Sequence, residues 1–540
     1  MGNIFTPPCD EGVIRSGIAS SPCVRRAEPW ILAATILGSS MAFIDGTVVN
    51  VSLPALQANL NATVQDVQWV VESYALLLAS LLLIGGSMGD RFGRRRVFCV
   101  GVSIFALASI ACGASQSINQ LIIARAVQGV GAALLVPGSL AIISASFNEE
   151  RRGKAIGTWS GFTAITAAVG PVLGGWLIDH VSWRAVFLIN VPLAAVVLAI
   201  SILRVPESKG GGNQKHLDWP GAVLAAAGLG AVVYALIESS RVGLGNAMVL
   251  AAFIGGTAVL AAFFVVEARS PNAMLPLALF GSRNFSGANL LTLFLYAALS
   301  GGMFFIPLEL IQVRGFSATA AGAAWLPFIL IMFALSRWSG GLVKKYGSKL
   351  PLVVGPIVAA FGFALFIIRE SGDSYWTSFF PAIVVVGLGM AISVAPLTTT
   401  VMSAVPDGYA GVASGVNNAV SRLAGLLGIA VFGVVILATF GGQLESSLAQ
   451  LPINPEVRGS VFEQRARLAA VEVPAGVDDQ TRMSLKSAIN DSFRSGLRVV
   501  MAAAAGLALA SALSAFMMIG GKPSAKRLAA LKVNATAAEL

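Results

Sequence analysis

Apolar runs long enough to form a lipid-facing helix alternate with short polar breaks along almost the whole chain. They fall at 30–53, 68–89, 97–115, 120–147, 155–179, 184–203, 220–238, 247–267, 286–312, 319–342, 351–368, 376–402, 410–440 and 496–519, fourteen runs in all. About 20 consecutive apolar residues cross the hydrocarbon core as a helix. Within lipid, open sheet edges and irregular backbone leave polar groups unsatisfied. The pattern therefore predicts an all-α polytopic membrane protein with 14 transmembrane helices. Composition agrees, with 56% hydrophobic and 11% charged residues and a mean hydropathy of +0.79. A soluble domain carries about 25% charged residues.

Charge orients the spans. With the N-terminus inside, the inner loops around 91–96, 151–154, 204–215, 269–283 and 344–349 hold 15 Lys and Arg. The short outer loops and helix edges hold 4, namely Arg184, Arg241, Arg314 and Arg369. Cytoplasmic loops collect Lys and Arg, so both termini are expected in the cytoplasm, with the protein in the plasma membrane (the inner membrane of a bacterium). The same bias accounts for the net charge of +10 without nucleic acid. One long polar stretch, 441–495, falls outside; long loops translocate regardless of charge. Its second half, Gln480–Arg498, has helical spacing and reads as an amphipathic lead-in to the last span, or as a lid or docking element. No apolar signal-peptide core precedes the first span, which is expected to direct insertion itself.

Two short stretches repeat. Residues 85–96 read GGSMGDRFGRRR and 340–349 read GGLVKKYGSK, after the second and the tenth run. This predicts two similar six-helix halves. The organisation expected is a cytoplasmic segment at 1–29, a six-helix bundle at 30–203, a linker with an inserted two-helix hairpin at 204–267, a second six-helix bundle at 268–520 that includes the 441–495 loop, and a cytoplasmic tail at 521–540. Paired bundles related in this way are a transporter architecture with the substrate site between them.

At this point the chain resembles the major facilitator superfamily, and within it the fourteen-helix drug:proton antiporter branch, over about residues 30–520. The loop signature G-x-x-x-D-R-x-G-R-R is met by Gly86, Asp90, Arg91, Gly93, Arg94 and Arg95. FIDGTVVNVSLPAL carries Asp45, Thr47, Asn50 and Pro54 in the first span, and ARAVQGVG carries Arg125, Gln128, Gly129 and Gly131 in the fourth. TAAVGPVLGGW resembles the antiporter signature through Gly170, Pro171, Gly174 and Gly175, with Thr166 where that signature begins with glycine. SWRAVFLINVP and LDWPGA are also typical of the branch. The resemblance implies a major facilitator fold and secondary active export, across the plasma membrane, of lipophilic or amphiphilic small molecules in exchange for protons, by alternating access. The alternative is a dedicated exporter or uptake permease for one metabolite or lipid. Lipid, the transported molecule and protons are the expected partners. A periplasmic adaptor fits the reading, and otherwise the protein acts as a monomer.

Charged groups inside spans are costly and mark function by default. Asp45 lies halfway through the first span, with Arg125 as its expected partner. The pair is either a proton-coupling site, as the resemblance implies, or a static ion pair. Glu72 is either a second proton site or an interfacial side chain; Glu309 and Arg314 read as interfacial. Arg422 either holds an anionic substrate group or pairs with backbone carbonyls. Candidate cavity residues are Phe43, Asn50, Trp159, Phe162, Tyr296, Phe304 and Phe305, whose aromatic faces suit varied or cationic ligands. Gly170, Pro171, Gly174 and Gly175 permit close packing and a kink; the resemblance implies that they lie at the seam between bundles, and the alternative is ordinary glycine packing. Asp90 is expected to latch onto the start of the helix after PDGYAG, with Arg91 and Arg94 orienting it and Arg95 and Arg96 serving topology. Enzymatic chemistry is not expected. There is no nucleophile–base set, phosphate loop or metal spacing among Cys9, Cys23, Cys99 and Cys112, and only two histidines, His180 and His216. No cofactor is expected; the proton gradient drives the cycle.

Overall fold

The computed structural model describes residues 22–147, 149–209, 218–243, 245–270, 273, 275–368, 374–405, 410–474 and 476–520. Its regular elements are all helical. The long ones are α1 (Pro22–Leu60), α2 (Val64–Phe92), α3 (Arg94–Ala114), α4 (Ile118–Ser146), α5 (Glu149–His180), α6 (Asn190–Arg204), α7 (Trp219–Val242), α8 (Ala247–Arg269), α9 (Arg283–Phe304), α10 (Leu326–Tyr346), α11 (Lys349–Leu365), α12 (Phe380–Ser403), α13 (Ala410–Gln450) and α14 (Asp479–Met518). Among the described residues 11 helices are long and apolar enough to cross a membrane, or 12 if the two halves of α2, which meet at 51°, form one span. α11 is a shorter apolar helix of 17 residues.

Local chemistry fixes the turns. The α1–α2 connection is three residues, and Thr63 and Asp66 form a capping box in which each side chain accepts the other's backbone N–H. That satisfies two of the donors a helix start leaves free. Gly93 separates α2 from α3 at φ +113°, where a side chain would be strained. Ser117, Asp218 and Asn246 cap α4, α7 and α8 with side-chain oxygens.

The chain divides into two compact units: Met1–Pro276 with Leu299–Ile329 and Gly425–Val500, and Leu277–Ala298 with Leu330–Ala424 and Met501–Leu540. In the first, α4 lies against α2 and α3, and α1 against α5 and α6. Glycines bring the backbones together, as lipid-embedded helices require. A Cβ on Gly129 would strike the Tyr74 carbonyl, and one on Gly131 would meet Phe105 N at 2.6 Å. α7 and α8 form an antiparallel pair, and α7 also packs on α2 through a cluster of Ala79, Val233, Ile237, Leu426 and Ala430. The polar stretch 441–495 is largely helical: α13 continues to Gln450, a short helix covers Pro455–Glu463, a 3-10 turn covers Gln464–Ala470, and α14 begins at Asp479. The lead-in expected over Gln480–Arg498 is part of α14.

In the second unit α11 packs on α12 at glycine contacts, Gly362 against Val386 and Gly389 against Ala359. Asn417 of α13 donates to Asn289 at 3.1 Å and Thr292 at 2.7 Å, both on α9. Ser511 of α14 donates to the Leu291 carbonyl at 3.1 Å.

Candidate functional site

Asp45 and Arg125 meet, fully buried. The Arg125 guanidinium lies 2.5 Å from Asp45 Oδ2, with 0% of the aspartate side chain and 1% of the arginine side chain exposed. Spacing in α4 builds the rest. Gln128 follows Arg125 by one helical turn, so both side chains reach the same side. Gln128 accepts from Arg125 at 2.7 Å and donates to Asp45 Oδ1 at 2.8 Å and Ser109 at 2.9 Å. Asn190, the first residue of α6, donates to the same Asp45 oxygen at 3.4 Å. Arg125 also donates to the Val70 carbonyl at 3.1 Å and lies 4.2 Å above the Tyr74 ring. Five helices thus contribute to one network around Asp45. Gln128 and Asn190 stand in motifs of the sequence without an assigned role; Ser109 carries no signal beyond that of a polar residue in an apolar run.

Glu72 is not an interfacial side chain. It is 0% exposed, and neither carboxyl oxygen has a hydrogen-bond partner. α2 is covered on this stretch: Gln68, one turn earlier, donates to the Ile429 carbonyl of α13 at 3.0 Å. Glu309 is not interfacial either. It opens a π-turn, Glu309–Val313, and is buried against Arg314 at 3.2 Å and Arg494 at 3.7 Å. Arg494, far along the chain on α14, is what brings this acid inside.

The expected cavity residues have different settings. Phe304 and Phe305 are buried, their rings edge to face at 5.0 Å. Trp159 is half-buried and donates its indole N–H to Ser39 at 3.0 Å. Asn50 is half-buried and donates to the Gly46 carbonyl at 3.3 Å of its own helix. Phe43 is half-buried, Phe162 exposed. In the second unit Tyr296 and Arg422 are half-buried.

The basic loop is held within its own bundle. Asp90 pairs with Arg94, at 2.7–2.8 Å. Arg91 is exposed, its guanidinium 5.3 Å above the Phe92 ring. Gly86 faces Pro137 of α4. Of PDGYAG, the stretch before the expected latch target at the start of α13, residues 406–409 lie outside the described residues. Arg95 does more than serve topology. It is buried and donates to the Val205 carbonyl at 2.9 Å. Glu207, unassigned in the sequence, is the centre: its buried carboxylate accepts the Arg95 and Arg96 backbone N–H groups at 3.0 and 3.2 Å. It also fills the space beside Gly93 that a side chain would need. A carboxylate on a helix start satisfies free donors and the helix dipole together. Glu207→Ala is expected to destabilise the fold by about 1–3 kcal/mol, the cost of leaving such donors unmet, read as a lower melting temperature in detergent. An unchanged melting temperature would remove this anchor.

The glycines of α5 make close approaches. Gly170 and Gly174 abut Thr47 and Val48 of α1, and Gly175 abuts the Ala318 carbonyl. Gly322 in turn abuts the carbonyl of Pro171. Thr166 donates to the Thr163 carbonyl of its own helix at 2.9 Å. Asp179 closes the contact, accepting from Ala318 N at 3.0 Å and Thr319 N at 2.8 Å. It caps the short helix Ala318–Ala323 in trans. All of these residues belong to the first unit.

Residues 35–429 match the family described as Major Facilitator Superfamily. Similar proteins include the tetracenomycin C resistance and export protein of Streptomyces glaucescens, 32% identical over 515 residues, with 94% of this chain and 95% of that one covered. The multidrug resistance protein Stp of Mycobacterium tuberculosis (strain ATCC 25618 / H37Rv) is 34% identical, covering 82% of each. The puromycin resistance protein pur8 of Streptomyces alboniger is 34% identical, covering 78% of this chain and 84% of that one. Among solved structures, a bacterial homolog to the human lysosomal transporter Spinster, inward-facing and unoccupied, superposes with a TM-score of 0.64 at 17% identity, covering 93% of this chain and 100% of that one.

Proposed function

The chain belongs to the major facilitator superfamily, a family of membrane transporters rather than enzymes, and from that premise we propose that it exports lipophilic or amphiphilic compounds in exchange for protons, by alternating access. The observation that carries the proposal is the buried Asp45–Arg125–Gln128 network. A carboxylate whose counter-ion sits on another helix changes its proton affinity when the helices move apart. Glu72, buried without a hydrogen-bond partner, is a second proton acceptor in this reading. Gly170, Pro171, Gly174 and Gly175 form the outer seam, and the Gly86–Arg94 loop, with Asp90 and Arg91, the inner one. The substrate path runs past Phe43, Asn50, Trp159, Phe162, Tyr296, Phe304, Phe305 and Arg422.

We read fourteen crossings, adding α5 and α11 to the twelve, with α7 and α8 as the inserted hairpin and both termini in the cytoplasm. The Lys and Arg bias supports that orientation. A second reading is a dedicated exporter of one compound, favoured by relatives named for tetracenomycin C, puromycin and methylenomycin A. A periplasmic adaptor remains part of the proposal only for a cell with two membranes.

Inside-out vesicles with an acid lumen test both. A lipophilic cationic dye and a lumenal pH probe are followed together. Dye accumulation accompanied by proton loss from the lumen supports broad antiport. Dye left unmoved while puromycin or tetracenomycin C exchanges for protons selects the dedicated reading. No proton movement with any compound refutes the coupling.

A further inference from the structure

α13 carries a polar stripe into the middle of a span. Ser414, Asn418 and Arg422 recur every four residues and so share one face. Ser414 and Arg422 are half-buried and Asn418 is exposed. Arg422 lies ten residues beyond Val412, where the apolar stretch of α13 begins. At 1.5 Å per residue that is about 15 Å along the helix, half of a hydrocarbon core of about 30 Å. A charged and accessible side chain at that depth is costly against lipid, and such groups face a bundle interior or a water-filled cavity.

Contacts with α9 fix the register of this stripe. Asn417, its neighbour, reaches Asn289 and Thr292 of α9. Further along, a Cβ on Gly425 would lie 3.2 Å from Ser300 Oγ. The two helices therefore run parallel, and Arg422 falls between these contacts, level with the half-buried Tyr296. The charge here is one-sided. In the first unit the deep arginine, Arg125, meets Asp45. In the second, the described residues include Lys and Arg but no Asp or Glu. A site lined by one sign of charge concentrates ligands of the other. A guanidinium offers five donors in a rigid fork, enough to keep protein contacts and still grip a planar carboxylate.

We propose that the Ser414–Asn418–Arg422 face of α13 recognises the exported molecule by its negative charge, selecting amphiphiles that carry a carboxylate or phenolate on an aromatic body. The inference rests on the export reading and narrows its substrate class. Arg422 takes the charged oxygen, Asn418 donates beside it, and the Tyr296 ring, at the same depth, flanks the apolar body.

The test uses the full-length protein, purified in detergent, and three probes of similar shape. Naphthoate is an anion, naphthamide is neutral and naphthylmethylamine is a cation at neutral pH. Calorimetric binding is expected to rank them in that order, with naphthoate about ten-fold tighter than naphthamide, the scale of one charge-assisted hydrogen bond. Arg422→Gln is expected to bring naphthoate and naphthamide together while the melting temperature is kept. If that variant gives no melting transition, Arg422→Lys replaces it, keeping the charge without the fork, and is expected to narrow the preference. Equal affinities in the wild type, a preference for the amine, binding of none, or an anion preference unchanged in the folded variant overturns the proposal. Export is measured separately in inside-out vesicles with an acid lumen, which a weak acid leaves by passive leak, so that accumulation there needs a carrier. Naphthoate preference in binding without proton-driven uptake of any compound leaves the site standing and removes the export reading. Proton-driven uptake of a lipophilic cationic dye without that preference overturns the site alone.

Discussion

Asp45→Asn is expected to abolish proton-driven export while dye still passes down its own concentration gradient. The asparagine keeps the shape and can still accept from Gln128, so the five-helix junction has a route to assemble. What it lacks is a group that binds and releases a proton. It also leaves the Arg125 charge buried without its counter-ion, and breaking a buried pair in this way costs about 3–5 kcal/mol. The Val70 carbonyl, Gln128 and the Tyr74 ring, all already in contact with Arg125, offset part of that cost. The measurement is paired: uphill and downhill dye movement in vesicles, with melting temperature in detergent. Loss of both modes together with a collapse in melting temperature would make Asp45 one half of a structural ion pair. Uphill movement retained at the original rate would transfer the coupling to another acid, with Glu72 first.

Gly175→Leu is expected to reduce export to background by a different route. The Ala318 backbone occupies the place the new side chain needs, and backbone cannot swing aside as a side chain does. The α5 end and the Ala318–Ala323 helix are then forced apart, and the Asp179 cap to Ala318 and Thr319 is lost with them. The outer seam stays open in this variant. Ala58, exposed near the end of α1, lines one cavity with Ala318. Labelling of Ala58→Cys from outside by a membrane-impermeant maleimide is expected to accelerate while the melting temperature in detergent stays close to that of Ala58→Cys alone, which separates an open seam from a folding defect. Gly157→Leu, on the same helix but with nothing within 4 Å of the added carbon, is the control and is expected to export normally. Normal export by Gly175→Leu would show that this contact need not close during the cycle.

How far the sequence could be read depended on chain distance. Asp45 and Arg125 stood out because charge is rare within spans. Their meeting was expected from a shared bundle. Gln128 lay in plain view, but its role as the second donor to Asp45 required knowing which face of α4 met α1. Ser109 and Asn190 looked like ordinary polar residues in helices with several. Glu309 was misread because Arg494 lies on α14, and no local pattern links the two. Of the two readings of Glu72, the interfacial one fails because α2 is covered by α7 and α13, a packing that hydropathy does not encode. Glu207 sat in what looked like a plain loop; its place on the α3 start depends on where α6 ends. The start of the stretch 441–495 reads as a loop because it is polar, yet α13 continues through it to Gln450, whereas the helical spacing of Gln480–Arg498 already points to the start of α14.

The lengths of α3 and α6 carry a consequence for the host membrane. α3 has 21 residues, and α6 with its preceding turn, Ala185–Arg204, has 20, so each is about 30 Å long at 1.5 Å per residue. The two run antiparallel and are pinned at both ends. Arg184 holds the Ser115 carbonyl at 3.1 Å, and Arg94 N holds the Ser208 carbonyl at 2.9 Å. That length matches the hydrocarbon thickness of a typical bilayer with no surplus. α13 and α14, with 41 and 40 residues, exceed that length. Lengthening the lipid chains therefore acts on this pinned pair, and through Asn190 it acts on the Asp45 carboxylate. Acyl-chain length becomes a control on the proposed proton site, exerted by a helix pair that works as a ruler.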